Sequence, residues 1–239
     1  MEKAKKIKIS LALIYGVIIS LILWAFFSKF SLNDLTSYEF IKNNKDYLAV
    51  IKESNYLLVL VLFLIFTIIW VLLLGFASPI FLLGGFIFGK WVGTLLVVFG
   101  LSIGATILYI FANYFLKDLI KEKFSIRFSN LNNKFKQNEF LFFLIYRFVG
   151  GIPFFISNIL PTLFNVKIRN FFFGSVIGMT PQLFVGTTLG SGIEKIISQN
   201  KEAPTFLELF TSSAIYIPVL GFILLVILGF FLKRFFYNN

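Results

Sequence analysis

The chain has 239 residues, of which 58% are hydrophobic and only 14% charged, whereas soluble domains are nearer one half apolar and one quarter charged. It contains no Cys and no His, which excludes disulfides, thiolate nucleophiles, Cys-ligated metals and histidine general bases. A net charge of +11 would favour a nucleic-acid partner in a soluble protein, but in a membrane protein a Lys/Arg excess marks cytoplasmic loops. The composition therefore predicts a multi-pass membrane protein with no nucleic-acid partner.

The first predicted element is an N-terminal transmembrane helix over residues 9–28, preceded by a lysine-rich stretch at 1–8. Its apolar run is longer than that of a signal peptide, and no A-x-A-like cleavage site follows, so we expect a retained helix with a cytoplasmic N-terminus. Residues 29–55 carry balanced charges and an apolar stripe, which predicts a short amphipathic segment on the outside. We take residues 1–55 as the first domain.

Two apolar stretches interrupted by Gly and Pro follow, at 56–90 and 139–166. Each precedes an apolar helix, at 91–116 and 170–190. Irregular backbone at membrane depth is tolerated only where it is buried in protein or lines a wet cavity. We therefore predict two re-entrant hairpins, each followed by a transmembrane helix.

The positions of the basic residues favour this arrangement, because it puts most of the 22 Lys/Arg on the cytoplasmic side. The basic segment 117–138 and both termini are then cytoplasmic. The charge-balanced segments 29–55 and 191–205 are outside. A last span is predicted over 206–232, within a third domain at 192–239.

The two hairpin-plus-helix units open toward opposite sides in this topology, as in transporters built from inverted repeats, whose binding sites lie where the broken helices meet. The predicted fold class is therefore an all-α membrane protein. It consists of an inverted repeat of a re-entrant helical hairpin plus a transmembrane helix, with flanking N- and C-terminal transmembrane helices. Residues 56–191 form the predicted core.

The small residues of these two units follow an ordered pattern. The first unit reads Pro-x5-Gly-x3-Gly-x3-Gly-x6-Gly-x3-Gly-Ala, and the second carries an Arg, a Pro-Phe, an Asn and a Gly-x3-Gly helix. Over residues 75–191 this pattern resembles the DedA superfamily, also called the VTT-domain or SNARE-associated Golgi protein family. The matching residues are Pro79, Gly85, Gly89, Gly93, Gly100, Gly104, Ala105, Arg147, Pro153, Phe154, Asn158, Arg169, Gly174, Gly178, Pro181, Gly190 and Ser191.

Two departures make the chain resemble the VTT branch more than the bacterial DedA branch. Gly150 stands where the family pattern has a Pro, and residues 56–90 contain no Asp or Glu. The DedA branch that resembles proton-coupled transporters carries acidic residues in this first hairpin. The resemblance implies two facing re-entrant hairpins and work on lipids in membrane homeostasis, either phospholipid scrambling or carriage of a polyprenyl-phosphate lipid between leaflets.

Arg147 is the strongest candidate for a lipid-binding residue. A cation at the membrane centre costs at least about 2.5–3.5 kcal/mol, and no acidic residue lies within an apolar stretch to pair with it. Its guanidinium fork suits a lipid phosphate. The alternative is that Arg147, eight residues after Glu139, snorkels to the inner interface.

The other candidates each have a binding and a structural interpretation. Ser157 and Asn158 either donate into the same cavity or close the backbone of the hairpin. Gly84 and Gly85 either turn backbone N–H groups toward a phosphate or permit close packing, and Pro153 either borders the ligand or shapes the hairpin. The Gly and Pro residues interpreted as structural are Pro79, Gly89, Gly93, Gly104, Gly150, Gly151, Gly174, Gly178 and Pro181.

The sequence contains no P-loop, clustered acidic pair or nucleophile elbow, so we predict no enzyme, no cofactor and no metal site. The leading hypothesis is movement of lipid or lipid-phosphate between the leaflets of the cell membrane, without ATP hydrolysis. Its partners are then membrane lipids, anionic or phosphate-bearing; a homo-oligomer is compatible with the sequence.

Two alternatives remain. A small-solute or ion transporter would use the same cavity and is expected to have polar residues from both units. A non-transporting scaffold that recruits partners through 117–138 does not need Arg147.

Overall fold

The computed structural model describes residues 53–118, 138–199 and 211–237, together with a few isolated positions elsewhere. The predicted N-terminal helix at 9–28, the amphipathic segment at 29–55 and the basic segment at 117–138 lie almost entirely outside the described residues. Their arrangement therefore stays a prediction.

The regular structure of the described residues is entirely helical, which confirms the all-α class. Three helices are long and apolar enough to cross a membrane, as expected for a multi-pass membrane protein. The elements are α1 (Tyr56–Leu72), α2 (Ala77–Phe115, broken at Gly89), α3 (Glu139–Val149), α4 (Phe154–Ile159), a 3-10 helix (Leu160–Leu163), α5 (Ile168–Gln199) and α6 (Ser213–Tyr237).

The first unit runs from α1 through α2. It breaks next to Gly75 and at Gly89, whereas Pro79, Gly84 and Gly85 lie within the helix. The chain turns between α1 and α2, where Leu74 adopts a positive φ of 61° and the Trp70 indole donates to the Phe76 carbonyl at 2.8 Å. Gly89, with φ 74° and ψ 177°, then divides α2 into a short first segment and a long second segment. A positive φ is accessible to Gly at little cost, which explains why the break falls at this residue.

The second unit repeats this order of elements. Helix α3 ends at Gly150 and Gly151, both with positive φ, and the chain continues through the short α4 and the 3-10 helix into the long α5. Helices α1 and α3 have 17 and 11 residues. At 1.5 Å per residue both are shorter than the roughly 30 Å hydrocarbon core. Re-entrant hairpins of opposite orientation stay a prediction.

Helices α2 and α5 form the centre of the structure. They touch without intervening side chains, because a Cβ at Gly85 would lie 1.9 Å from the Thr187 carbonyl oxygen. The hydroxyls of Thr94 and Thr187 are 2.6 Å apart across the same interface. Close backbone approach and hydroxyl contacts are the usual way in which membrane helices associate.

Helix α5 runs further than the sequence predicts. The predicted span ended at residue 190, but α5 continues to Gln199, so the described part of the predicted outside segment 191–205 is helical. The physical reason is packing: Ile196 and Ile197 are buried, and a Cβ at Gly192 would lie 2.2 Å from the Ala214 carbonyl oxygen next to the start of α6. Tertiary contacts therefore extend the helix beyond its apolar run.

Candidate functional site

A cavity of about 260 Å³ lies where the second unit meets α2 and α6. Among the described lining residues, the polar side chains all belong to the second unit, and those from α2 and α6 are apolar. The lining residues are Ala77, Phe81, Tyr146, Arg147, Gly150, Gly151, Ile152, Phe154, Ser157, Met179, Gln182, Leu183 and Phe222.

Arg147 lies in the last turn of α3 and is the charged residue of this lining; only 4% of its surface is exposed. Its Nε donates to Ser175 Oγ at 2.9 Å. Its Nη1 donates to Ser157 Oγ at 3.0 Å and to Asn158 Oδ1 at 2.8 Å. The guanidinium is thus held inside the protein by neutral oxygens from α4 and α5, which favours the cavity interpretation over snorkelling.

Two aromatic rings complete the surroundings of the guanidinium. Its central carbon lies 4.8 Å from the ring centroid of Phe171 and 5.2 Å from that of Phe143. Phe171 also stacks on Tyr109 of α2 at 4.4 Å, and the Tyr109 hydroxyl donates to the Val166 carbonyl at 2.6 Å. Cation–π contacts contribute about 0.5–2 kcal/mol and provide no formal negative charge, so Arg147 keeps its net positive charge.

Two buried donors next to each other remain without a hydrogen-bond partner among the described residues: Arg147 Nη2 and Asn158 Nδ2. An unmet buried donor costs about 1–3 kcal/mol, and more when it is charged. The lining contains no carboxylate among the described residues. A cation with a free donor and no acidic partner is suited to an oxyanion.

The structure brings Ser157 and Asn158 to Arg147, but in different ways. Ser157 lines the cavity; its Oγ donates to the Phe154 carbonyl at 2.7 Å, so it also closes the turn of its own helix. Asn158 is fully buried behind Arg147 and does not line the cavity. The Asn158 oxygen accepts from Arg147, and donation from its amide group into the cavity stays a prediction.

Pro153 and the glycines around it shape the site. Pro153 is the N-cap residue of α4 and does not line the cavity. Gly150 and Gly151 need positive φ values of 63° and 79°, which supports their structural interpretation. A Cβ at Gly174 would lie 2.7 Å from the Phe143 ring, so this glycine lets α3 and α5 approach beside the guanidinium.

Gly84 and Gly85 are not brought to the cavity. Both lie inside the first segment of α2, where helical hydrogen bonds occupy the backbone N–H groups. A Cβ would lie 2.5 Å from the Val97 side chain at Gly84 and 1.9 Å from the Thr187 carbonyl oxygen at Gly85. This geometry favours the packing interpretation of Gly84 and Gly85, and phosphate binding by these two residues stays a prediction.

Three residues of α5 that contact the site were not predicted from the sequence: Phe171, Ser175 and Gln182. Ser175 accepts from Arg147, and the Gln182 amide donates to the Phe148 carbonyl at the end of α3. Phe171, Ser175, Gly178 and Gln182 follow one another at intervals of four, three and four residues, so they lie on one face of α5. Polar residues on one face of an apolar helix were the signal that could have found Ser175 and Gln182, whereas Phe171 carries no such signal.

Comparison with known proteins gives a family match over the region that contains this site. Residues 75–192, from the end of the first turn to the last part of α5, match the family described as the VTT domain. No solved structure matches the chain significantly.

Three curated proteins illustrate the similarity. The Transmembrane protein 41 homolog of Dictyostelium discoideum is 29% identical over 163 residues, which cover 65% of this chain and 48% of that protein. The Transmembrane protein 41 homolog of Caenorhabditis elegans is 30% identical over 156 residues, or 62% of each chain. The Uncharacterized protein YqeD of Bacillus subtilis (strain 168) is 29% identical over 111 residues, covering 46% of this chain and 53% of that one.

The aligned regions span between about half and three fifths of the length of these relatives. The matched family region contains both glycine-bearing long helices and the Arg147 site between them. The chain is therefore a membrane protein of the VTT-domain family.

Proposed function

We propose that the protein moves phosphate-bearing lipids between the leaflets of the cell membrane, without ATP hydrolysis. The observation that carries this proposal is Arg147, a buried cation beside a cavity. Among the described residues only neutral groups hold it, and one of its donor nitrogens, itself buried, has no hydrogen-bond partner. A lipid phosphate supplies the missing negative charge and accepts from the guanidinium fork.

The shape and lining of the cavity suit part of an amphiphile. Pockets for small molecules are typically about 300–1,000 Å³, so about 260 Å³ accommodates a headgroup and not a whole lipid. The apolar side chains of Phe81 from α2 and Phe222 from α6 also border the cavity. Helix α6 is the most exposed of the three long helices, and its apolar surface suits acyl chains.

The same lining favours a lipid over a small solute. A solute carrier is expected to surround its cargo with polar groups from both units, but the polar side chains of the described lining come from the second unit. A non-transporting scaffold gives no reason for a buried cation with an unmet donor. The proposal includes a membrane arrangement with cytoplasmic termini and two facing re-entrant hairpins.

The test is reconstitution of the purified protein into liposomes that carry a fluorescent phospholipid in both leaflets. A membrane-impermeant reductant bleaches the fluorescent lipid in the outer leaflet, which is about half of the signal. Loss of more than this half reports movement of lipid from the inner to the outer leaflet. We expect wild type to move lipid and Arg147→Ala to move it at least about tenfold more slowly, as for loss of a hydrogen bond to a charged group. Lys90→Ala removes an exposed cation away from the cavity and serves as the matched control.

A trapped soluble dye separates lipid movement from solute passage. Liposomes that retain the dye while the lipid equilibrates fit the lipid proposal. Wild-type liposomes that bleach only as far as protein-free ones contradict it.

A further inference from the structure

The contact between Arg147 and Asn158 fixes the orientation of the Asn158 amide. A guanidinium has only donors, so the atom of Asn158 that lies 2.8 Å from Arg147 Nη1 is the carbonyl oxygen Oδ1. The NH2 group of Asn158 then points elsewhere, and it finds no acceptor among the described residues. Because Asn158 is fully buried, its NH2 group is not exposed to bulk water, which could otherwise accept the hydrogen bond.

This arrangement is not what stability alone favours. Aspartate has nearly the same shape as asparagine, and its carboxylate pairs with a buried arginine through charge-assisted hydrogen bonds. An Asp at 158 would remove the unmet Nδ2 donor and would neutralise the uncompensated cation in a single step. Asn158 leaves its own Nδ2 without an acceptor and the charge of Arg147 without a counter-charge, as expected of a site that needs this charge for a ligand.

The acid closest in sequence to Arg147 is used for another purpose. Glu139 lies eight residues earlier, at the opposite end of α3. Its Oε1 accepts from the Lys167 backbone N–H at 2.8 Å and from Asn170 Nδ2 at 2.7 Å, at the start of α5. Glu139 therefore joins α3 to α5 and leaves the charge of Arg147 unneutralised.

We propose that Asn158 is a positioning residue: it holds the Arg147 guanidinium by a neutral oxygen, so that the full positive charge stays available to a phosphate oxyanion in the cavity. The inference rests on the proposed function, because it assigns the ligand of the same site. It adds that the site recognises the phosphate and not a headgroup amine, since the described lining has no carboxylate to hold an amine.

A purely structural role for Asn158 makes the opposite prediction about Asn158→Asp. If Asn158 serves only to anchor Arg147, Asp anchors it better and leaves ligand binding unchanged. If Asn158 keeps the charge available, Asp stabilises the protein and weakens the response to an oxyanion. The two roles therefore differ in the ligand response and not in the stability of the free protein.

The experiment is thermal unfolding of the full chain in detergent, with and without short-chain phosphatidic acid. We expect the lipid to raise the Tm of wild type. Asn158→Asp should have an equal or higher Tm without lipid, and its apparent affinity for the lipid should be at least about tenfold weaker, as for loss of a hydrogen bond to a charged group. Asn165→Asp makes the same substitution at an exposed turn and should keep the wild-type response.

Equal lipid responses of wild type and Asn158→Asp would overturn the inference. If Asn158→Asp does not fold, Asn158→Leu replaces it: loss of the neutral acceptor should weaken lipid binding, and unchanged binding overturns the inference. A short-chain diacylglycerol that stabilises wild type as much as phosphatidic acid also overturns it, since that ligand has no phosphate.

Inorganic phosphate distinguishes the source of the oxyanion. A weaker response to phosphate than to phosphatidic acid supports a lipid headgroup. An equal response supports the role of Asn158 but contradicts lipid as the cargo. The proposed function itself fails if wild-type liposomes move no lipid, whereas the inference fails if Asn158→Asp binds and moves lipid like wild type.

Discussion

Gly178 lies so close to Arg147 that a Cβ at Gly178 would be 2.7 Å from the Arg147 Cβ. The same added atom would lie 2.7 Å from the Leu144 carbonyl oxygen, which is backbone and cannot rotate away. This glycine therefore sets the distance between α3 and α5 at the level of the binding site. It belongs to the family pattern, but its contact with Arg147 is visible only in the structure.

The first prediction follows from that contact. Gly178→Ala should push α3 away from α5, lower the free energy of unfolding by about 1–3 kcal/mol and slow lipid movement. Gly221→Ala in α6 is the control, because its new Cβ would make an ordinary contact of 3.6 Å with Val185. Detergent melting and liposome bleaching measure the two effects; equal behaviour of both variants would contradict the close approach at Gly178.

The second prediction concerns Phe171, which contacts the guanidinium and stacks on Tyr109. Phe171→Leu should destabilise the protein by about 1–3 kcal/mol and slow lipid movement, because it removes a fully buried ring beside Arg147. Phe173→Leu alters an exposed ring two residues away on the same helix and should change little. If both variants melt and move lipid alike, Phe171 does not position Arg147.

The sequence predicts the backbone breaks of the fold better than the partners of its side chains. Gly89, Gly150 and Gly151 mark real breaks because a positive φ strongly favours Gly, which is a local property. The functions of Gly84 and Gly85 depend on which helix lies opposite them, and this information is not local. For the same reason the end of α5 at Gln199 and the contact of Ser175 with Arg147 required the three-dimensional structure.

The third prediction is about pH. The chain has no His, whose ordinary pKa lies near neutrality, and the described cavity lining has no Asp or Glu. We therefore expect titration of the protein's own side chains to change the rate of lipid movement very little between about pH 5.5 and 8. A step in this range that disappears in Glu139→Gln would show that Glu139 takes part after all.

The fourth prediction tests the topology. Because the chain has no Cys, single substitutions give unambiguous labelling. Ser125→Cys should react with an impermeant maleimide only after the cells are opened, since the basic segment 117–138 is expected to be cytoplasmic. Lys195→Cys, at an exposed position of α5, should react in intact cells. The reverse pattern would invert the proposed orientation of the two units.

The last prediction separates the charge of Arg147 from its shape. Arg147→Lys keeps the positive charge but replaces the planar guanidinium with a compact ammonium. The guanidinium bonds Ser175 through Nε, and Ser157 and Asn158 through Nη1, and still has Nη2 for a ligand. A single ammonium nitrogen cannot make the same set of bonds.

Lys should therefore lower the free energy of unfolding by about 1–3 kcal/mol and slow lipid movement at least about tenfold. Ala should be slower still, because it removes both the charge and the fork. The two variants are compared with wild type by detergent melting and liposome bleaching of the same preparations. If charge alone holds the phosphate, Arg147→Lys will move lipid at the wild-type rate despite its lower Tm. Wild-type lipid movement by Arg147→Ala would exclude this site altogether, whatever its melting curve, because no other cation lies in the described lining of the cavity.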